Sequence, residues 1–318
     1  MLWSSGLLAQ AQKPARVGVL WSSDERSVKA LQDALLSGLR DLGYVAGRNL
    51  LLDVRHARGQ NSRFAALADE LIALRPDVLI GIEAVAIVLR SKTTTIPIVL
   101  LTSPDPVAAG LVRSLARPGT NVTGMAYRQD ELIAKHIELL TEIVPRMSRI
   151  AFFNYAASAG DPGARLAARY EEIARAAATR KGLTLIVVAA RDAGGVRQAF
   201  AELERASPEG IVVASTGPTY LLRHEIAGHA NRLAIPSISS FPVAWLEAGG
   251  LFSYGPDFVQ QYRYAAIFVD RILKGADPAQ MPIERPATFQ FLVNAKVARQ
   301  IGLAIPSSVL LRADRVIE

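Results

Sequence analysis

Three features of the sequence predict an α/β fold made of two similar halves, each a parallel sheet flanked by helices. Apolar runs of four or five residues, such as Val17–Leu20 and Ile98–Leu101, have the length and composition of strands buried on both faces. Between these runs apolar residues recur at spacings of three and four, the period of a helix with one buried stripe. After the fourth strand the alternation stops at a connector rich in proline and glycine, Ala116–Gly124, and then begins again. Strand and helix in turn mean βαβ units and a parallel sheet, and the restart means two Rossmann-like lobes instead of one long sheet.

Val17–Leu20 leads through Trp21-Ser22-Ser23-Asp24 into a helix from about Ser27, with Val28, Leu31, Leu35, Leu39 and Leu42 on one face and Gly43 as its stop. Leu50–Val54 is the second strand, and Phe64, Leu67, Leu71 and Leu74 mark a helix that ends before Pro76. Val78–Ile82, a helix over Ala84–Lys92 and Ile98–Leu101 follow. Thr102-Ser103-Pro104-Asp105-Pro106 ends the fourth strand, because two prolines within three residues cannot continue a central strand. Beyond the connector, Leu132, Ile133, His136, Ile137, Leu140 and Ile143 form a helix, and Ile150–Phe153 a strand. A loop over Asn154–Gly163 leads to a helix through Arg180 and the strand Leu185–Val188. A helix over Val196–Ala206, the strand Ile211–Ala214, one helix around Tyr220–Leu233 and a short strand at Pro236–Ser239 complete the second half. The remainder reads as a strand at Leu251–Tyr254, a helix over Phe258–Leu273 and an extended, proline-punctuated segment over Pro282–Val293.

At 318 residues the chain can bury two medium cores, and with half its residues apolar it is not disordered. There is no cysteine, which excludes disulfides, thiolate metal sites and cysteine nucleophiles. The net charge of +7 comes from basic residues scattered along the chain, with no basic run and no interleaved aromatics, so nucleic acid is not expected as a partner. Leu2–Leu8 is mostly apolar, and Ala9-Gln10-Ala11 has the small-x-small form of a signal-peptidase site. Residues 1–11 are therefore expected to be the remnant of a signal peptide, and the mature protein to be soluble in the periplasm.

The stretch Ile96–Gly124, IPIVLLTSPDPVAAGLVRSLARPGTNVTG, resembles the periplasmic solute-binding proteins of ABC importers, and within them the tryptophan/tyrosine-type subfamily. LRDLGYVAGRNL at Leu39–Leu50, FPVAWLEAGGLFSYGPD at Phe241–Asp257 and the segment Val269–Pro306 match as well, so the resemblance covers nearly the whole chain from about Pro14. It implies a type I periplasmic binding protein fold, in which the two parallel-sheet lobes are joined by three hinge crossings. We place these near Asn121–Gly124, Ala248–Gly250 and Met281–Pro286, where glycine and proline suit a hinge. The expected lobes are then 12–122 with 251–282 and 123–250 with 283–318. The implied function is a receptor that captures an aromatic or branched amino acid, or a related carboxylate, between its lobes. It would deliver that ligand, as a monomer and without chemistry or cofactor, to a membrane permease and its ATPase.

Parallel α/β sheets bind ligands at the carboxyl ends of their strands. In the first half those ends carry Trp21, Ser22, Ser23, Glu83, Ala84, Thr102 and Ser103. In the second half they carry Asn154, Tyr155, Ser215, Thr216 and Phe241, with Tyr254 near a crossing. Hydroxyls and helix-start amides suit a carboxylate, and the aromatic rings suit a flat apolar body. Asp105, between two prolines, is read as a cap for a following helix. Glu83 has two readings. Relatives that the chain resembles carry a hydroxyl-rich turn after this strand, whereas here it is Gly81-Ile82-Glu83-Ala84. Glu83 is either a carboxylate favoured by the helix macrodipole or the counter-ion of a ligand ammonium.

Other constellations are weak. His224 and His229 lie five apart, about 140° around a helix, and cannot share a metal face. There is no phosphate loop, dinucleotide fingerprint or nucleophile elbow. Two rivals remain at this level: a ligand-sensing subunit of a membrane signalling receptor, and an α/β enzyme using Glu83 or Asp105 as acid or base.

Overall fold

The computed structural model describes residues 13–157 and 164–318. The expected signal-peptide remnant and part of the Asn154–Gly163 loop lie outside them. The chain divides into two compact units. One runs to Ala126 and resumes over Val259–Glu284; the other comprises Tyr127–Phe258 and Arg285–Glu318.

The first unit contains β1 (Ala15–Trp21), α1 (Glu25–Asp41), β2 (Leu50–His56), α2 (Phe64–Ala73), β3 (Val78–Gly81), α3 (Glu83–Lys92), β4 (Ile98–Leu100) and β5 (Val122–Gly124). Its sheet is wholly parallel in the order β2-β1-β3-β4-β5. The connector's last residues, read from sequence as a crossing, thus form an edge strand. The side chain of Asn121 fixes the start of that strand by donating to the carbonyls of Thr93 (3.1 Å) and Ile96 (2.7 Å). Local polar chemistry sets the helix starts: Asp24 caps α1 by accepting from Ser27 N at 3.0 Å. One face of the sheet buries Leu20, Leu79, Ile98 and Leu100 against Phe64, Leu67, Leu71, Val85 and Leu89 of α2 and α3.

The second unit adds α4 (Gln129–Ile143), β6 (Arg149–Tyr155), α5 (Ala164–Arg180), β7 (Thr184–Ala190), α6 (Ala193–Ala206), β8 (Ile211–Val213), α7 (Gly217–Leu221), α8 (Arg223–Arg232), β9 (Ser237–Ser239), α9 (Pro242–Glu247) and β10 (Phe252–Pro256). The helix α10 (Phe258–Leu273) returns the chain to the first unit. Finally β11 (Phe289–Asn294), α11 (Ala295–Gln300), α12 (Ser307–Leu310) and β12 (Arg315–Ile317) complete the second. Its sheet is ordered β12-β11-β10-β9-β8-β6-β7. Alternate strand residues feed two cores. Phe152, Val212 and Phe252 join α4 and α5 on one face, while Phe153, Val213 and Leu292 join α6, α8 and α9 on the other.

Three expectations are corrected here. The sheet of the second unit is not purely parallel: β11 runs antiparallel to β10, with Phe289 opposite Pro256, because the chain re-enters at the end from which β10 leaves. The segment 251–258 belongs to the second unit, not the first, since Phe252 and Ser253 pair with Ile238 and Ser239 of β9. The passage between units therefore falls after Phe258 and not at Ala248–Gly250. The single helix expected around Tyr220–Leu233 is two, α7 and α8, which meet at Leu222.

Candidate functional site

In the first unit the strand order reverses between β1 and β3, so the ends of β1, β3 and β4 lie side by side at a topological switch point. Trp21–Ser23, Glu83–Ala84 and Thr102–Ser103 occupy those three ends. Glu83 N donates to Thr102 O at 3.0 Å, which ties the start of α3 to the end of β4. The fully buried Ser103 donates its hydroxyl to Glu83 Oε2, and Asp105 N approaches the same oxygen at 3.4 Å. Burial raises the Glu83 carboxyl to about 7, against the lowering effect of these two donors. Ala84 is exposed, Ser22 half-buried and Ser23 buried.

Trp21 is 2% exposed, its ring stacked on Tyr262 of α10 at 5.9 Å. Its indole Nε1 and the Thr102 hydroxyl are buried without a hydrogen-bond partner among the described residues. Gln261, beside Tyr262, donates to Leu101 O at 2.8 Å while its Oε1 is likewise unmatched. Native interiors seldom leave such groups unpaired, and two of them stand at the ends of β1 and β4, on either side of the β3 end that carries Glu83. Asp105 caps, as its flanking prolines suggested, through Oδ1 accepting from Ala108 N at 3.0 Å; the segment it caps is a turn, not a helix.

In the second unit the corresponding ends are those of β6, β8 and β9. Here the structure separates residues that the sequence grouped. Asn154 is committed within the fold: its Nδ2 donates to Ala167 O (2.8 Å) and its Oδ1 accepts from Tyr155 N (2.9 Å). The Thr216 hydroxyl caps α7 in a reciprocal box with Thr219. Ser215 accepts from Ser240 N at 3.1 Å within a buried hydroxyl group that includes Ser239. Phe241 meets Tyr220 edge-on at 5.1 Å and Phe258 at 6.5 Å, and Phe258 in turn meets Tyr127 at 6.1 Å. Tyr254 stands apart from this row. It packs on the α4 side of the sheet, whereas Phe241 packs with the core of the opposite face. Tyr155, half-buried, closes β6.

Sequence reasoning missed Tyr262, Gln261, Gln129, Tyr220 and Phe258. All lie inside helices or at their starts, where periodicity reports a buried face but not what the side chain meets. Gln129 is 1% exposed, donates to Ser240 Oγ at 3.4 Å and leaves Oε1 unmatched. Among the described residues no group of three His, Asp or Glu could hold a metal ion, and no helix is long and apolar enough to cross a membrane. His229 instead stacks on Phe200 at 5.2 Å.

Comparison with known proteins bears on this geometry. A family model described as ABC transporter substrate binding protein matches residues 16–317. The tyrosine-binding protein of Clostridioides difficile (strain R20291) is 29% identical over 142 residues, 44% of this chain. That alignment spans only 40% of the curated relative's own length. Among solved structures, a conserved domain protein of Vibrio cholerae O1 biovar El Tor str. N16961 superposes with a TM-score of 0.87 at 29% identity, covering 96% of this chain and 100% of that one. An ABC domain from Streptococcus pneumoniae in complex with L-Trp gives a TM-score of 0.85 at 25% identity over the same shares.

Proposed function

Because this chain belongs to the ABC transporter substrate-binding protein family, we propose that it is a solute receptor that takes up a small aromatic or branched amino acid, or a related carboxylate. It hands that ligand to a membrane permease driven by its ATPase. In this reading the protein is exported to the periplasm, acts as a monomer and makes or breaks no bond. The observation that carries the reading is the set of buried polar atoms without a partner among the described residues at the ends of β1 and β4, which flank the β3 end that carries Glu83. The similar tyrosine-binding protein and the L-Trp complex favour an aromatic amino acid as the ligand.

The groups divide by chemistry. A ligand ammonium would pair with the Glu83 carboxylate, which Ser103 and Asp105 N orient by holding Oε2. The indole N–H of Trp21 and the hydroxyl of Thr102 would serve a ligand carboxylate.

The test is a thermal-shift series with L-tryptophan, L-tyrosine, branched amino acids, their deaminated acids, sugars and nucleosides. A ligand at a hundred times its dissociation constant adds about 2.7 kcal/mol. For a chain of this size that is a rise of roughly 2–4 °C. A shift confined to amino acids or their deaminated acids supports the proposal, while a shift only with sugars or nucleosides, or with nothing, removes it.

A further inference from the structure

The second unit holds a cavity of about 350 Å³ that no motif announced. Its back wall is an aromatic ladder. In the β10–β11 pair Tyr254 lies opposite Phe291, and Pro256 opposite Phe289, so Phe252, Tyr254, Phe289 and Phe291 all project from one face. Phe252 and Phe291 stack at 6.3 Å and are buried beneath α4, α5 and α11. Tyr254 and Phe289 stack at 5.9 Å with their rings 18° apart, and this pair emerges from the core, Phe289 being 39% exposed. The ladder thus continues past the part of the sheet that helices cover.

The opening is held in shape. His136 of α4, fully buried, donates Nε2–H to the Tyr254 carbonyl at 2.7 Å and meets the Tyr254 ring edge-on at 6.4 Å. Leu132 and Lys135, on the same helix, form a second wall with the buried Tyr127, and Arg285 and Pro286 close the third. The charges around the rim are unequal. Arg128 is engaged by Asp130 at 2.5 Å and Glu131 at 3.4 Å, and Lys135 by Glu138 at 2.8 Å. Arg285 has no ion pair or hydrogen bond among the described residues. The cavity therefore presents a stacked apolar wall and one uncommitted guanidinium. The volume suits a one- or two-ring molecule, and a guanidinium fork matches a carboxylate.

We propose that this cavity is a second ligand site, specific for a small flat aromatic monoanion whose ring lies along Tyr254 and Phe289 and whose acid group meets Arg285. It involves neither Glu83 nor the ends of β1, β3 and β4, and it stands whether or not the proposed uptake function does.

Calorimetric titration of the full chain with indole-3-carboxylate tests the assignment, with indole as the uncharged analogue and cyclohexanecarboxylate as the non-aromatic one. Arg285→Gln alters an exposed side chain and should leave the melting curve intact, and Phe289→Ala, which gives up the stack on Tyr254, should still melt cooperatively above the titration temperature. Each should weaken the acid's binding by about fivefold or more, whereas Glu83→Gln and Phe241→Ala should leave it unchanged. Binding that survives both rim substitutions overturns the proposal. So does binding abolished by Glu83→Gln or Phe241→Ala, equal binding of either analogue, or no binding of the acid at millimolar concentration.

Discussion

Burial and hydrogen bonding act in opposite directions on Glu83, and burial wins, raising its carboxyl to about 7 from an ordinary 4.5. In the unfolded chain the proton leaves near 4.5; in the folded chain it stays until about 7. The stability tied to Glu83 is thus complete at low pH and lost as pH rises through that window, at about 1.4 kcal/mol per pH unit when the difference is a full proton. The stability difference between the wild type and Glu83→Gln in urea unfolding should therefore fall as pH rises from 4.5 to about 7, whatever slope His136 adds to both proteins. The same residue predicts a rising affinity for an ammonium-bearing ligand through pH 7, since only the ionised form attracts it. His136 has the opposite sign. Burial lowers its pKa to about 4 from 6.5, so stability is present above 6.5 and declines as pH falls toward 4. In Glu83→Gln, where the opposing slope is removed, an acid limb without such a decline would show that this ring is less buried than the structure places it. At this scale the sequence disclosed which residues stand at strand ends, because strand ends follow from periodicity and turn chemistry. It did not disclose that Asn154 and Thr216 spend their polar groups on their own backbone neighbourhood, since that depends on where Ala167 and Thr219 lie.

Among the elements, β10 controls the second sheet. It pairs with β9 on one side and β11 on the other, and at Gly255 its backbone passes so close to β9's exit that an added Cβ would stand 2.4 Å from Ser240 O. That atom is backbone and cannot swing aside. Gly255→Ala should therefore cost at least about 2 kcal/mol in urea unfolding. Gly217→Ala is the matched control, because a Cβ there meets nothing within 4 Å and should be close to neutral. Among the longer strands, β1, β2, β3, β6 and β7 were legible as apolar runs. Two of the three-residue strands, β5 and β12, were not, for Val122–Gly124 and Arg315–Ile317 carry no apolar run and are strands because β4 and β11 lie beside them.

For the whole molecule, net charge and its distribution make a prediction independent of any site. The excess of 36 basic over 29 acidic residues is dispersed, and many of the cations are paired, as in Arg16–Asp53 at 2.8 Å and Lys92–Asp69 at 2.7 Å. A random DNA duplex should accordingly show no retention in filter binding at physiological salt; tight, steeply salt-dependent retention would reopen a nucleic-acid role.

The sequence by itself determined the α/β class, the repetition of that class in two halves and the family. Those follow from local periods and from long ordered stretches such as Ile96–Gly124, which need no partner in space to be read. Tertiary structure decided the rest: the antiparallel β11, the assignment of 251–258 to the second unit, and the stacking of Trp21 on the sequence-distant Tyr262. The physical reason is common to all three. Pairing, packing and the orphaning of a polar atom are properties of two or more segments brought together, and a single segment's sequence specifies only its own half of each contact.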